Sequence, residues 1–279
     1  MVTFVATPIG NLKDITLRAL DVLREADVIF CEDTRHSLKL LNAYDIKKPL
    51  YACHRFNEDQ AAEKIVSRAK DGENIAVLSD AGMPAISDPG NVVCRALIEA
   101  GIPYTVAPGA TAFTCALLLS GMDSSRFTFI GFLPNRNGEK VRLLEKYRNL
   151  DTTLIFHSAP QDVDSDIAAM NRVFGDRNAC AVREITKIHE ERQPFCLSEG
   201  LPGDKRGEYV LLVEGAKHDE NSMNELTVSE HVRHYTEQGL DKKEAMKRVA
   251  KDRRVSKSDI YREILESSKQ SPEINDDKH

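Results

Sequence analysis

The sequence predicts an α/β protein built from two α/β domains and a small C-terminal helical module. In the first half of the 279-residue chain, short apolar runs alternate with segments of helical period. This rhythm is typical of a mainly parallel sheet with helices on its faces. In the second half, several strand-like runs follow one another without helices between them. Such an order predicts hairpins and a mixed sheet.

The first domain is assigned to residues 1–121 and contains five predicted strands. Asp14 precedes the first helix, and its carboxylate is expected to accept that helix's free N–H groups. The helices are predicted near 15–25, 36–43, 58–70 and 90–100, with another after the segment APGATA (107–112). The strands are predicted at 2–6, 27–31, 49–53, 74–79 and 102–107.

The second domain is assigned to residues 122–218 and follows a hinge at SGMDSSR (120–126). Its strands are predicted at 127–134, 152–158, 178–185, 193–199 and 207–215, and its helices near 138–149 and 161–174. After a polar linker at 216–225, residues 225–268 form a basic module of two or three helices. Residues 269–279 are expected to be a disordered tail.

Composition favours a soluble globular protein, with 41% hydrophobic and 29% charged residues. The longest apolar stretch, at 112–122, is far shorter than the ~20 residues that span a bilayer. The N-terminus lacks the basic region and cleavage pattern of a signal peptide. We therefore expect a cytoplasmic protein with no membrane partner. The six cysteines lie far apart without a C-x-x-C pair, which favours reduced, buried thiols.

Charge is distributed unevenly along the chain, although the net value is −6. Residues 233–262 hold ten Lys and Arg against five Asp and Glu, so this segment carries about +5 and the remainder about −11. Helical spacing predicts a common face for Lys243, Lys247, Lys251 and Arg254. The alternative is a solvated helical hairpin that packs on the second domain or on a second copy of the chain.

Four loops rich in special residues leave the carboxyl ends of first-domain strands, where ligands bind in open α/β sheets. They are TPIGN (7–11), EDTR (32–35), SDAGMPAISDPG (79–90) and APGATA (107–112). Their convergence predicts a ligand site, although Asp80 and Asp88 are also typical caps of turns and helices. The absence of G-x-G-x-x-G and of G-x-x-x-x-G-K-[ST] argues against a classical dinucleotide site and a P-loop. No metal site is predicted, and His231 and His234 are expected on a solvated helix face.

Two charged runs could carry chemistry. In the first, Glu32, Asp33 and Arg35 follow a strand, and Arg35 could bind phosphate or form an ion pair with either acid. The second is REITKIHEE (183–191). Alternation along an extended strand would place Arg183, Ile185 and Lys187 on one face and Glu184, Thr186 and Ile188 on the other.

Six segments, in this order and spacing, resemble the ribosomal RNA small-subunit methyltransferase I family, which belongs to the tetrapyrrole-methylase-like methyltransferases. They are FVATPIGNLKDITLRAL, CEDTRHSLKLL, LSDAGMPAISDPG, VAPGATAFTCALLLSG, FIGFLP and REITKIHEE. The resemblance covers residues 2–215, and residues 241–265 resemble the helical module that ends many members. Together the six segments are highly specific.

The resemblance implies that a cleft between the two α/β domains binds S-adenosyl-L-methionine. It also implies methyl transfer to the ribose 2′-oxygen of a cytidine in small-subunit (16S) ribosomal RNA, free or in the assembled small subunit. Relatives of this fold are commonly homodimers, so a homodimer is expected. The cofactor-binding residues carried over by motif position are Ile9, Asp80, Met83, Thr111 and Ala112. Within 79–90, Ser79–Pro84 is expected at the cofactor and Ser87–Gly90 as a helix cap, which would make Asp88 structural.

A ribose hydroxyl is a weak acid and must lose its proton during or after attack on the methyl group. A carboxylate or a lysine with a lowered pKa could accept the proton, and a cation could stabilise the oxygen. As a group, the catalytic candidates are Glu32, Asp33, Arg35, Glu184 and Lys187. RNA would bind the basic 233–262 segment, and Arg136, Lys140 and Arg142 could add a second contact.

Two alternatives use the same observations differently. A methyltransferase of this fold could act on a tetrapyrrole or another small molecule, but it would not need EDTR or the basic segment. A non-catalytic nucleic-acid-binding protein could use the C-terminal helices alone, but the four loops would then have no role.

Overall fold

The computed structural model describes residues 1–217, 226–253 and 255–269. The chain divides into two compact units, Met1–Ala216 and Lys217–His279. Three features expected from the sequence lie outside the described residues: most of the polar linker (218–225), Arg254, and all but the first residue of the expected tail (270–279). The boundary at residues 121 and 122 stays a prediction.

The first sheet is parallel throughout, as the alternating pattern predicts. Its strands are β1 (Val2–Val5), β2 (Val28–Cys31), β3 (Leu50–Ala52), β4 (Ile75–Leu78) and β5 (Tyr104–Ala107). They are ordered β3-β2-β4-β1-β5. All residues of β1, β2 and β4 are buried. These three strands are therefore continuous apolar runs rather than alternating ones.

Helices cover both faces of this sheet. They are α1 (Leu17–Glu25), α2 (Thr34–Ala43), α3 (Glu58–Lys70), α4 (Asn91–Glu99) and α5 (Ala112–Ser120), and a 3-10 turn precedes α1 at Leu12–Asp14. Residues of α1 and α2 pack on one face, and residues of α3 and α4 pack on the other.

The expected cap of α1 by Asp14 is wrong. Thr16 is the N-cap, and its side chain accepts the Ala19 N–H at 3.1 Å. Asp14 instead ends the 3-10 turn, and its carboxylate accepts the hydroxyl of Thr186. A threonine directly before the helix is a better placed acceptor than an aspartate two residues earlier.

The second sheet is mixed, as predicted. Its strands are β6 (Phe127–Phe132), β7 (Thr153–Ser158), β8 (Asn178–Arg183), β9 (Glu191–Cys196) and β10 (Tyr209–Val213), ordered β6-β7-β10-β8-β9. Only β6 and β7 pair in parallel. One face packs on α6 (Asn137–Glu145) and α7 (Val163–Phe174), and the other packs on α5 through Ala116 and Leu117. The helix that follows β5 therefore covers the second sheet.

Lys140 does not lie on an RNA-binding surface, so that expectation is wrong. Its side chain is 2% exposed, and its Nζ lies 2.6 Å from Asp166 Oδ1 and 2.7 Å from Ser165 Oγ. The other Asp166 oxygen accepts the Ser158 hydroxyl at 2.7 Å. Lys140 is therefore a buried, fully partnered charge between α6 and α7. Arg136 is exposed.

The second unit contains three helices in its described part: α8 (Val228–Glu237), α9 (Lys242–Asp252) and α10 (Lys257–Lys269). They enclose a small core that includes Val228, Val249 and Ile260. Thr227 begins α8 with a capping box, and Asp241 caps α9.

Lys243, Lys247 and Lys251 are exposed along α9, as the helical spacing predicts. His231 is fully buried, so its expected place on a solvated face is wrong. Val228 and Val232 flank it on the buried side of α8. In the described part of the chain, no helix is long and apolar enough to cross a bilayer.

Candidate active site

The edges of the two sheets meet around a cavity of about 310 Å³, a volume typical of small-molecule sites. Because the first sheet is parallel, the loops after β1, β2, β4 and β5 leave the same edge. The second sheet contributes the ends of β6, β7 and β8 and the start of β10, since β10 runs antiparallel to β7 and β8. The first-sheet wall includes Ile9, Glu32, Asp80, Met83, Asp88, Thr111 and Ala112. The second-sheet wall includes Phe132, His157, Glu184, Ile185, Lys187, Glu208 and Tyr209.

The loops after β1 and β4 are joined directly. The Thr7 N–H donates to the Gly82 carbonyl at 2.8 Å, and the Gly82 N–H donates back at 3.1 Å. The Ser79 hydroxyl donates to the same Gly82 carbonyl at 3.1 Å. Gly82 adopts a φ of +79°, which glycine tolerates best. These bonds present Ile9 and Asp80 to the cavity from a fixed backbone.

The EDTR segment separates into one cavity residue and one exposed ion pair. Glu32 lines the cavity, whereas Asp33 and Arg35 do not. The Arg35 Nη2 lies 2.9 Å from Asp33 Oδ2, and the Arg35 N–H donates to Asp33 Oδ1 at 2.8 Å. The side-chain bond to Arg35 lowers the Asp33 pKa to about 2. The Asp33 N–H in turn donates to Asp80 Oδ1 at 3.0 Å, which connects this loop to the cavity wall.

The expected helix cap at Ser87–Gly90 is wrong in its side chain. Gly90 is the N-cap of α4 and has no side-chain cap bond. Glu58 of α3 supplies the acceptor, because its Oε1 takes the N–H of Gly90 at 2.7 Å and that of Val92 at 3.0 Å. Asp88 is therefore free of the capping role, and it lines the cavity.

Burial and like charge raise the pKa of two cavity carboxyls. Burial, followed by the charge of Asp80, raises the Glu32 pKa. Burial has the largest effect on Asp88 also, and the charges of Glu32, Asp80 and Glu208 add to it, which brings the Asp88 pKa to about 7. Asp88 thus titrates near neutrality.

The extended conformation expected for REITKIHEE is wrong, because β8 ends at Arg183. Glu184 and Thr186 adopt positive φ values of 49° and 66°, and the Lys187 N–H donates to the Glu184 carbonyl at 3.0 Å. This turn brings Glu184 and Lys187 together instead of placing them on opposite faces, with Lys187 Nζ 3.0 Å from Glu184 Oε1.

Two glycines from distant parts of the chain make room for this ion pair. A Cβ atom on Gly10 would lie 2.7 Å from Lys187 Cγ. One on Gly207 would lie 2.2 Å from Glu184 Oε1 and 2.9 Å from its Cγ. Any other residue at either position would displace the pair.

Several cavity residues escaped the sequence analysis, and His157 is the clearest. Its Nε2 is buried with no hydrogen-bond partner among the described residues, and burial lowers its pKa. The rings of Phe129 and Phe132 flank it at 5.1 and 5.2 Å. A bulge between Phe129 and Gly131 places both rings on the same side of β6. The rule applied to the first domain, that ligands bind beyond strand ends, would have indicated His157 and Phe132 too.

The cavity suits a ligand with a cationic centre, an anionic end and an apolar ring. Glu32, Asp80 and Asp88 provide negative charge. Thr111, the N-cap of α5, makes no side-chain cap bond to that helix, which leaves N–H groups for an anion. Met83 and Ile185 offer apolar contact. No group of three or more possible metal ligands occurs among the described residues.

Comparisons with known proteins agree with this architecture. Residues 1–199 match the family model of the tetrapyrrole (corrin/porphyrin) methylases. A Bacillus subtilis protein described as "Ribosomal RNA small subunit methyltransferase I" is 40% identical over 266 residues, which cover 92% of this chain and 91% of the relative. A Thermotoga maritima protein of the same description is 42% identical over 76% of this chain and 96% of its own.

Solved structures support the fold. Uroporphyrin-III-C-methyltransferase from Thermus thermophilus matches with a TM-score of 0.56 at 19% identity, covering 76% of this chain and 94% of its own. A diphthine synthase matches with a TM-score of 0.59 at 18% identity, over 77% and 89% of the two chains.

Proposed function

The chain belongs to the tetrapyrrole (corrin/porphyrin) methylases and, among them, to the ribosomal RNA small subunit methyltransferase I family, and from this membership we propose its reaction. We propose that it transfers a methyl group from S-adenosyl-L-methionine to the ribose 2′-oxygen of a cytidine in small-subunit (16S) ribosomal RNA. The observation that carries this proposal is the cavity between the two sheets. Its first-sheet wall holds all five residues expected at the cofactor.

The donor set of the cavity fits S-adenosyl-L-methionine. The cofactor has a sulfonium and an ammonium cation, a carboxylate, and an adenine ring. Asp80 and Glu32 suit the cations, the N–H groups that begin α5 suit the carboxylate, and Ile9, Met83 and Ile185 suit the ring. When bound, the cofactor supplies a methyl group activated by the adjacent positive sulfur.

The chain's own residues must orient the ribose and manage its proton. Methyl transfer is an in-line displacement, so alignment of the reacting atoms within the cavity supplies much of the acceleration. Of the five catalytic candidates, Glu32, Glu184 and Lys187 line the cavity. We propose that Lys187, oriented by Glu184, stabilises negative charge on the ribose oxygen. Asp33 and Arg35 are engaged with each other outside the cavity.

RNA binding is proposed for the basic helices of the second unit. The exposed lysines of α9 provide the positive charge that phosphate contacts need. We further propose a cytoplasmic homodimer, as the family resemblance implies. Light scattering of the purified protein measures the number of copies.

One experiment tests the reaction. Purified protein is incubated with methyl-labelled S-adenosyl-L-methionine and small ribosomal subunits from cells that lack the enzyme, with protein-free 16S RNA in a parallel arm. Label in the ribose of a single cytidine is expected, and the arm that accepts it identifies the substrate form. Label on a base, or cofactor binding without label in RNA, would exclude the proposal. Transfer to a tetrapyrrole would support the small-molecule alternative.

The matched variant is Asp80→Asn, which keeps the oxygen that accepts the Asp33 N–H and removes the charge. We expect cofactor affinity to fall about tenfold, as for one lost charge-assisted contact of about 1.5 kcal/mol. Isothermal titration calorimetry measures this affinity. Unchanged affinity would remove Asp80 from the proposed cofactor wall.

A further inference from the structure

Asp88 has a position in the cavity wall and no evident structural task. The helix it was expected to cap is capped by Glu58 instead. Within the described part of the chain, its carboxylate takes no hydrogen bond. Neither of its oxygens is a buried atom without a partner, so both remain accessible from the cavity. A half-buried carboxyl that is accessible only from a ligand cavity is available for chemistry.

The surrounding loop holds Asp88 in place. Ala85 and Ser87 adopt positive φ values of 68° and 67°, a conformation that side chains other than glycine resist. The Ala85 N–H donates to the Pro89 carbonyl at 3.2 Å, which closes the loop on itself. A Cβ atom on Gly131 of β6 would lie 3.2 Å from Ser87 Oγ, so the loop also lies against the second sheet. Such strain at a cavity is typical of functional loops.

The charges around Asp88 distinguish it from the other cavity carboxyls. Glu32 from the loop after β2, Asp80 from its own loop and Glu208 from the start of β10 are all negative. The cation of the same cavity, Lys187, is paired with Glu184. Among the groups that line this cavity, Asp88 is therefore the carboxyl whose negative form is opposed most strongly, and its pKa lies near 7. Such a group is basic enough to accept a proton and releases it again near neutral pH.

We propose that Asp88 accepts the proton of the ribose 2′-hydroxyl during methyl transfer, an inference that rests on the proposed function. The O–H bond breaks and its proton passes to an Asp88 carboxylate oxygen. The oxygen forms its new bond to the methyl carbon while the bond from that carbon to sulfur breaks, and sulfur keeps the electron pair. Asp88 then returns the proton to water. No further reactant is needed.

The test compares wild-type protein with Asp88→Asn in single-turnover methyl transfer at saturating cofactor. We expect the variant to be slower by at least about 100-fold, the usual contribution of a general base. Cofactor affinity, measured by calorimetry, should stay within about twofold. Asp21→Asn is the matched control, because it removes one charge from an exposed site on α1. Transfer by Asp88→Asn within about threefold of wild type would overturn the assignment, as would a comparable loss of cofactor affinity.

The pH profile separates proton transfer from a structural role. The wild-type rate should rise as pH increases through about 7, because only ionised Asp88 accepts a proton. Asp88→Asn should lose this rise. Glu32→Gln should move it to lower pH, because one of the opposing charges is removed. Glu184, His157 and Lys187 also line the cavity, so a rise that persists in Asp88→Asn would assign it to one of them and contradict the proposal.

Thermal unfolding excludes misfolding as the reason for lost activity. Folding raises the Asp88 pKa from 3.8 to about 7, so ionisation destabilises the folded state increasingly between these pH values. Asp88→Asn lacks this penalty and should melt above wild type at pH 8, with a smaller difference at pH 5. A wild type that methylates no ribose would refute the proposed function itself, whereas a fully active Asp88→Asn would refute only the role of Asp88.

Discussion

Single residues determine the Glu184–Lys187 pair, and the least conspicuous of them are glycines. Glu184 depends on the missing side chain of Gly207, and Lys187 depends on that of Gly10. The Glu184 and Lys187 side chains are 22% and 36% exposed, so contact with solvent weakens their attraction. Their value therefore lies in where they place charge in the cavity, and small displacements should matter more for activity than for stability.

Gly207→Ala should impair methyl transfer specifically. Its new Cβ would overlap Glu184 Oε1 and Cγ, so the carboxylate must move away and Lys187 loses its partner. We expect the single-turnover rate to fall about 100-fold, as for a displacement of about 1 Å in a catalytic group. Rapid-quench measurements with labelled cofactor would detect this loss.

The matched control is Gly203→Ala. Gly203 also has a positive φ, at +80° against +73° for Gly207, but a Cβ there meets nothing within 4 Å. Both variants carry the same backbone cost of about 1 to 2 kcal/mol. Equal activity of the two variants would mean that the contact with Glu184 has no catalytic consequence.

The sequence was informative about which loops form the site and less so about individual side chains. Ile9, Asp80, Met83, Thr111 and Ala112 all line the cavity, because residues beyond parallel strand ends must share one edge. Asp88 was expected to be structural, since an aspartate three residues before a helix is indistinguishable by sequence from a cap. The competing acceptor, Glu58, lies on another helix, and local sequence cannot reveal it.

At the scale of elements, the predicted strands and helices appear in the expected order because their apolar periods are strong. The failures occur where a tertiary contact overrides a local pattern. REITKIHEE has alternating charges and bulky residues, but positive φ values at Glu184 and Thr186 end the strand after Arg183. Lys140 resembles a surface lysine in sequence, yet Asp166 on α7 draws it into the core.

The contact between α3 and the start of α4 supplies an element-scale prediction. Glu58→Ala leaves the N–H groups of Gly90 and Val92 without their acceptor. We expect a loss of about 1 to 2 kcal/mol in the free energy of unfolding, as for a lost helix cap. Glu58→Gln should lose less, since it keeps an acceptor oxygen. Urea titration followed by circular dichroism measures both.

Glu63→Ala is the control on the same helix, because Glu63 is exposed and substitutions at such sites usually change stability by less than about 0.5 kcal/mol. If Glu58→Ala were as stable as Glu63→Ala, water would replace the cap without cost, and Glu58 would not stabilise the loop that carries Asp88.

At the scale of the whole molecule, charge and cavity are segregated along the chain. The protein has a net charge of −6, so RNA would be repelled on average unless local positive charge dominates the contact. The segment 233–262 holds ten of the 38 Lys and Arg residues, and in α9 the lysines at 243, 247 and 251 are exposed. The cavity, by contrast, is lined by residues 9–210. Cofactor binding and RNA binding should therefore be separable by mutation.

The double variant Lys247→Glu, Lys251→Glu tests this separation. We expect weaker binding to small-subunit RNA or subunits, and unchanged affinity for S-adenosyl-L-methionine. Because each phosphate contact releases counterions, the slope of log affinity against log salt should fall by about 1 to 2. Lys64→Glu, Lys70→Glu on α3 changes the net charge equally at exposed positions and serves as the control. Filter binding over a range of KCl concentrations measures the slope. An equal loss in both double variants would show that RNA senses only the net charge, and α9 would then have no particular role in binding.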